Sequence, residues 1–305
     1  MRAWLRERFA ERVRFAEPLS RHTSFRIGGP ADAWVEVANA ADIAAVQRAA
    51  LAAGVPLTVL GIGTNVLVSD RGLRGIVVKL GREFAGFEWR RAGDRTEVRA
   101  GAAAPFKKLV SDAAARALTG LEFAEGIPGS IGGGLLMNAG AFGGEISDVV
   151  TGIVGVAPDT DERYVPRDAL HFGYRRFDLP PGLIVTRVDF ALAPGDGAAI
   201  HGRMAAARRK RDAHQPLGWP NAGSIFKNPP GEYAGRLIEA AGLKGRRVGG
   251  AMVSEQHANF IVNVGGATAA DVKQLMDDVA ETVWRARAIR LMPEIKLVGE
   301  WGAGE

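Results

Sequence analysis

A chain of 305 residues, 47% hydrophobic and 24% charged, has the balance of a globular protein with a full core, and its length suits two or three lobes. The absence of cysteine excludes disulfides, thiolate metal ligands and cysteine nucleophiles, and no run reaches the ~18 apolar residues of a membrane-spanning helix. A net charge of +5 leaves nucleic acid open in principle, but lysines and arginines clustered on one element with aromatics between them are missing.

The opening MRAWLRERFAERVRF carries Arg2, Arg6, Arg8, Arg12 and Arg14 but no apolar h-region or cleavage site, and Glu7 and Glu11 argue against a transit peptide. It predicts a short amphipathic helix burying Leu5, Phe9 and Val13, in a cytoplasmic protein. A strand is expected at Ala33 to Val37, then a helix at Ala41 to Ala53 capped by Asp42 or a neighbour. A buried strand at Leu57 to Leu60 and another at Gly75 to Leu80 complete a small βαβ-containing lobe. Phe84 to Gly101 alternates as a hairpin turning at Ala92-Gly93-Asp94. Pro105 to Leu118 reads as a helix with proline near its first turn, and Val149 to Ala157 and Leu183 to Leu192 read as strands. The loop from Ala193 to Ala198 is the best boundary candidate. Beyond it come helices at His201 to Ala213 and Tyr233 to Gly242, and a strand at Asn259 to Val264. A helix then opens with Thr268-Ala-Ala-Asp271 and runs to about Ile289, followed by a strand at Glu294 to Glu300. Within the His201 helix lies the one dense basic run, Arg208-Arg209-Lys210-Arg211. A solvated face is its simplest reading, and a funnel for anionic ligands the next.

Among 40 glycines, three segments stand out: Arg26 to Gly29, Gly61 to Asp70, and Gly126 to Gly134 continuing to Gly140. Glycine lets successive N–H groups converge on a phosphate. The second segment follows a buried strand but fails the Rossmann fingerprint, because Val66 replaces the third glycine, and no Walker lysine follows either of the larger loops. Singly each segment reads as a tight turn; together they point to a dinucleotide cradle outside the Rossmann class.

In order, HTSFRIGG, LGIGTNVLVSD, GLEFAEGIPGSIGG with MNAGAFGGEI, FGYR, QPLGWPNAGSIFKNP, AGRLIEAAGLKG, SEQHANFIVN and PEIKLVGE resemble the UDP-N-acetylenolpyruvoylglucosamine reductase family from about His22 to Gly299. The resemblance implies an α+β fold: a FAD-binding domain of the vanillyl-alcohol oxidase type and a C-terminal α+β substrate domain. It suggests lobes at 1–82 (joined by a C-terminal strand, 294–305) and 83–195, with substrate binding at 198–293. The extra tyrosine-bearing loop of part of the family is missing between Asp178 and Gly223, as in the shorter subtype.

The implied activity is NADPH-dependent, FAD-mediated reduction of UDP-N-acetylglucosamine enolpyruvate to UDP-N-acetylmuramate in peptidoglycan precursor synthesis. The matching catalytic residues are Arg175 for the substrate carboxylate, Ser224 as proton donor and Glu294 as second acid. Cofactor contacts fall on Arg26, Gly61, Gly63, Thr64, Asn65, Val66, Leu67, Gly126, Pro128, Gly129, Ser130, Gly132, Gly133, Asn138 and Gly140. Substrate contacts fall on Tyr174, Lys227, Asn228, His257 and Asn259. FAD is expected to be non-covalent, since no histidine lies between His22 and His171 to tether it. The five histidines lack metal-ligand spacing, so no metal is expected. A small nucleotide-linked substrate, no nucleic acid, no membrane insertion and a monomer complete the reading. Phe142 stands where a tyrosine is usual, and Arg176-Phe177 where a serine commonly sits nearby. An alcohol oxidase on the same fold and a non-catalytic basic binding protein are the competing readings.

Overall fold

A computed structural model describes residues 1–302, so residues 303–305 of the expected C-terminal segment lie outside the described residues. Helix α1 (Arg2–Phe9) buries Leu5 and Phe9 and leads into strand β1 (Val13–Pro18), so Val13 is buried from a strand rather than the helix. Strand β2 (Pro30–Val37) precedes helix α2 (Ala40–Ala52), capped by Asn39, whose Oδ1 accepts the Asp42 N–H at 2.8 Å. Asp42 itself is buried and ion-paired with Arg8 and Arg12, tying α1 to α2. Burial pushes its carboxyl up, but hydrogen bonds from Arg12 and the Ala38 N–H, with the charges of Arg12 and Arg8, hold it below the ordinary value.

Strands β3 (Leu57–Val59), β4 (Val66–Val68) and β5 (Leu73–Leu80) follow, then β6 (Phe87–Ala92) and β7 (Arg95–Gly101), which pair about the Gly93-Asp94 turn. Pro105 is the cap residue of helix α3 (Phe106–Ala115), one position before the first turn. After β8 (Leu118–Thr119), the glycine-dense segment forms helix α4 (Ile131–Leu136) and the small hairpin β9 (Gly140–Ala141) with β10 (Gly144–Glu145). Strands β11 (Val150–Ala157) and β12 (Thr160–Pro166) lead to the hairpin β13 (Phe172–Gly173) with β14 (Arg176–Phe177), then to β15 (Ile184–Pro194). Helix α5 (Gly197–His214) starts earlier than the loop signal suggested, because Asp196 accepts the Ala198 and Ile200 N–H groups and Ile200 is buried. The remainder is α6 (Ala234–Ala240), β16 (Arg247–Val248), β17 (Ala251–Val253), β18 (Ile261–Asn263), α7 (Ala269–Arg287) and β19 (Lys296–Val298).

Two compact units emerge among the described residues: Met1–Arg14, Trp34–Gly61 and Ile76–Arg211 form the first, and Phe15–Ala33, Ile62–Gly75 and 212–302 the second. The first holds a six-stranded sheet ordered β12-β11-β15-β7-β6, with β8 also pairing β15. Its pairs are antiparallel. Helix α2 packs on β11 and β12, and α4 on β15 and β7, over a core that includes Val98, Val188 and Phe190. A further four-stranded sheet has the order β1-β2-β5-β3, in which β3 and β5 run parallel.

In the second unit, α7 packs on the antiparallel sheet β16-β17-β18. It buries Val272, Leu275, Met276, Val279 and Val283, a stripe at helical spacing. The expected capping box is present: Thr268 Oγ1 accepts the Asp271 N–H at 3.0 Å, and Asp271 accepts the Thr268 N–H at 3.0 Å. Strand β19 pairs parallel with β4, and Leu67 from β4 joins Phe25, Phe226, Leu275 and Ile295 in one apolar core. Among the described residues, no helix is long and apolar enough to cross a membrane.

Candidate active site

The glycine loop of the second unit is shaped from below by the His22–Ser24 segment. Gly63 has φ +70°, and a Cβ there would lie 2.1 Å from the His22 carbonyl oxygen, so only glycine fits. Ser24 N–H donates to the Gly63 carbonyl at 3.0 Å. With the carbonyls held inward, the N–H groups of residues 62–65 donate to no group among the described residues, an arrangement that suits an anion. The loop's far end is fixed: Lys296 N–H donates to the Asn65 carbonyl, and Asn65 Nδ2 to the Glu294 carbonyl at 3.3 Å. Thr64, Asn65 and Val66 are half-buried, whereas the Leu67 side chain is wholly in the core. A ligand could therefore meet Leu67 only through its backbone. Arg26 is exposed in a left-handed conformation, φ 57°, its N–H bonded to the Thr23 carbonyl.

In the first unit, Gly61 and the segment from Gly126 to Gly133 come together. A Cβ on Gly61 would lie 2.9 Å from Ser130 Oγ, which accepts the Gly133 N–H at 3.3 Å and caps α4. Phe106 N–H, Ile131 N–H and Gly132 N–H tie the segment to its neighbours, leaving the N–H groups of Gly126, Gly129 and Ser130 without a bond among the described residues. Gly126 and Pro128 are exposed. Asn138 has another task. Fully buried, it donates to the Gly173 carbonyl at 3.1 Å and accepts the Ser147 N–H at 3.1 Å, so it holds the β13–β14 hairpin. Gly140 lies against the Gly144 carbonyl, 2.6 Å from where a Cβ would be.

That hairpin turns through Tyr174 and Arg175, with Arg175 at φ 54°. A non-glycine residue in this region is uncommon and marks a local constraint. The Arg175 guanidinium lies 5.3 Å from the Tyr174 ring centre, and Tyr174 is exposed. Arg211 ends the basic run read from the sequence as a solvated face or, next, a funnel for anionic ligands. Burial lowers its pKa, Glu125 opposes, and the charge of Arg175 lowers it further, so two guanidinium groups share one neighbourhood. Buried Glu125 is ion-paired with Arg208, while Lys210 and Arg211 flank the exposed Phe142 ring at 5.7 and 5.4 Å. Arg208, Arg209 and Lys210 are exposed, as on a solvated face, while Arg208 also reaches Glu125 and Arg211 is half-buried.

In the second unit, Ile225 to Lys227 runs antiparallel to Met292 to Glu294. Glu294 N–H donates to the Ile225 carbonyl and Lys227 N–H to the Met292 carbonyl, both at 2.8 Å, which sets the Glu294 main chain one residue from Ser224. Asn259, 4% exposed, clamps this segment: its Oδ1 accepts the Phe226 N–H at 3.0 Å and its Nδ2 donates to the Phe226 carbonyl at 2.8 Å. A cavity of about 630 Å³ is lined by Ser224, Asn228, Tyr233, Gln256, His257 and Asn259 among others. Asn228 Oδ1 accepts the Ala234 N–H at 3.1 Å, which orients the start of α6, and Lys227 is half-buried beside the cavity-lining residues. His257 is held down in pKa by burial first and then by the charge of His214 and of Lys244, against its own backbone and Glu239. Its Nδ1 accepts the Asn259 N–H at 3.1 Å, so the neutral ring carries its proton on Nε2.

Residues 215–298 match the model of the UDP-N-acetylenolpyruvoylglucosamine reductase C-terminal domain, and residues 31–161 match a FAD-binding domain. A protein of Symbiobacterium thermophilum named UDP-N-acetylenolpyruvoylglucosamine reductase 2 is 51% identical over 293 residues, covering 95% of this chain and 92% of its own length. The chain belongs to the UDP-N-acetylenolpyruvoylglucosamine reductase family. A reductase of the same name from Anaeromyxobacter dehalogenans is 46% identical over 300 residues, covering 97% of this chain and 90% of its own. The crystal structure of the reductase from Thermus caldophilus superposes with a TM-score of 0.81 at 37% identity, over 92% of this chain and 97% of that one. The chain is therefore an oxidoreductase with a FAD-binding domain and an α+β fold. The glycine segments fit a dinucleotide: Gly63 occupies space that any Cβ would close, and the N–H groups beside it have no protein acceptor among the described residues.

Proposed function

We propose that the chain reduces the enolpyruvyl double bond of UDP-N-acetylglucosamine enolpyruvate, yielding UDP-N-acetylmuramate for peptidoglycan synthesis, with FAD as redox cofactor and NADPH as reductant. The observation that carries this reading is the setting of Ser224. It lines the polar cavity of the family's C-terminal domain, on a segment that Asn259 clamps one residue from the hydrogen bond to Glu294.

Bound FAD would supply hydride chemistry; within the second unit the N–H groups of residues 62–65 could donate to a phosphate, and within the first unit those of Gly126, Gly129 and Ser130 are likewise without an acceptor among the described residues. Hydride addition to the terminal carbon of the double bond leaves negative charge on the neighbouring carbon and its carboxylate. Arg175 can hold that carboxylate through two guanidinium donors and stabilise the charge as it forms. Ser224 gives its hydroxyl proton to the carbanionic carbon, completing the addition of H⁻ and H⁺ across the double bond, and Glu294 serves as the second acid. Asn228, Lys227 and the Nε2–H of His257 offer donors for the nucleotide-sugar end, with Tyr174 as an exposed aromatic contact. Asn259 and Asn138 act through the segments they position. The same reading has the enzyme work in the cytoplasm as a monomer.

Replacing Ser224 with alanine separates the two half-reactions. NADPH is expected to bleach the flavin of S224A at the wild-type rate, while reoxidation by the enolpyruvyl substrate falls at least a hundredfold, at the lower end of the roughly 10²–10⁴-fold effect of general acids. Equal loss in both half-reactions would remove the proton-donor role.

A further inference from the structure

Lys79 lies in β5, in a run where Val77 and Val78 are fully buried and Leu80 nearly so. Burial lowers its pKa, with Glu36 opposing. The ammonium is aimed at a main-chain carbonyl: Nζ donates to the Gly61 oxygen at 2.7 Å. That bond is not needed to hold the strand end, since Leu60 N–H already donates to the Val78 carbonyl at 3.0 Å. It does fix a peptide plane. In a trans peptide the C=O and the following N–H point in opposite directions. With the Gly61 oxygen turned onto Lys79, the Ile62 N–H is directed away from it, and it donates to no group among the described residues. Gly61 is also closed on another side, because Ser130 Oγ lies 2.9 Å from the place a Cβ would take. A cationic donor on the carbonyl polarises the peptide and strengthens its N–H as a donor.

We infer that Lys79 is a positioning residue for dinucleotide binding: its ammonium locks the Gly61–Ile62 peptide with the N–H presented to a diphosphate. This rests on the FAD reading above.

The test compares purified wild type, K79M and K79R, each diluted while FAD release is followed by the recovery of flavin fluorescence. K79M is expected to hold FAD about ten- to a hundredfold more weakly, the worth of one charged hydrogen bond, and K79R to recover most of that loss. Far-UV circular dichroism of the three proteins should coincide. At saturating FAD, the phosphorus resonances of the bound cofactor should shift in K79M while its visible absorption bands stay in place. K79M holding FAD within twofold of wild type, or K79R as weak as K79M, would overturn the inference and leave the flavin reading intact. Wild type that carries and takes up no FAD would overturn both. Should K79M fail to fold, K79Q replaces it: a neutral donor to the Gly61 carbonyl predicts affinity between wild type and a tenfold loss, and wild-type affinity would refute the role of charge.

Discussion

Replacing Asn259 with alanine separates a positioning role from a ligand contact. In the native protein its amide is occupied on both sides by the Phe226 main chain, at 3.0 and 2.8 Å, in a buried environment. Alanine leaves one buried N–H and one buried carbonyl without partners. Each unmet group costs about 1–3 kcal/mol, so with partial relaxation the variant should lose about 3 kcal/mol of stability. The freed segment also carries Ser224 two residues upstream, and small displacements of a reacting group reduce turnover about ten- to a hundredfold. Urea unfolding followed by tryptophan fluorescence measures the first effect, and steady-state reduction of the enolpyruvyl substrate the second. A lower midpoint with a fall in kcat is expected. An unchanged midpoint with only a higher KM would show that Asn259 contacts the substrate and would refute the clamp.

Asp70 closes the glycine loop and caps α7, accepting the Ala269 and Ala270 N–H groups at 2.9 and 3.0 Å. D70A should lose about 1–2 kcal/mol in urea unfolding, and no loss would mean the capping box at Thr268 suffices. G63A forces a Cβ against the His22 carbonyl in a left-handed conformation. Its flavin-to-protein absorbance ratio after purification should fall below a tenth of wild type, as the displaced loop forfeits several N–H donors. His257 has a pKa below its ordinary 6.5, so between that value and the lower native one the unfolded chain binds more protons than the folded one. Its contribution to stability is full above 6.5 and is lost as pH falls through the native value; H257Q should flatten this part of the stability–pH curve, and an unchanged curve would count against the neutral ring.

Strong local signals carried the sequence reading furthest. The Thr268 to Asp271 capping box and the Gly93-Asp94 turn are each contained within a few residues of chain, so their physics is visible there. Strand β4 was hidden inside a glycine loop because its partner, β19, lies at the other end of the chain. Helix α4 runs through Gly132, Gly133 and Gly134 against propensity. Packing decides instead: a Cβ on Gly134 would press on the Phe106 ring at 3.3 Å, and one on Gly132 on Ala102 at 3.2 Å. The motifs name segments, and a motif alone does not say what each side chain in it touches. The resemblance places Asn138 and Asn259 among ligand contacts; in the structure both are buried, with their amides hydrogen-bonded to the main chain. Arg211 and Lys79 carried no pattern of their own. One ends a basic run that resembles a solvated face, and the other interrupts an apolar strand.

The most direct test of the central claim is the visible spectrum of the purified protein under anaerobic conditions, before and after NADPH and then after UDP-N-acetylglucosamine enolpyruvate. A yellow protein that bleaches with NADPH and recolours with the enolpyruvyl substrate is the predicted result. A protein that takes up FAD and bleaches but does not recolour would contradict the proposed substrate, and one that cannot take up FAD would contradict the account as a whole.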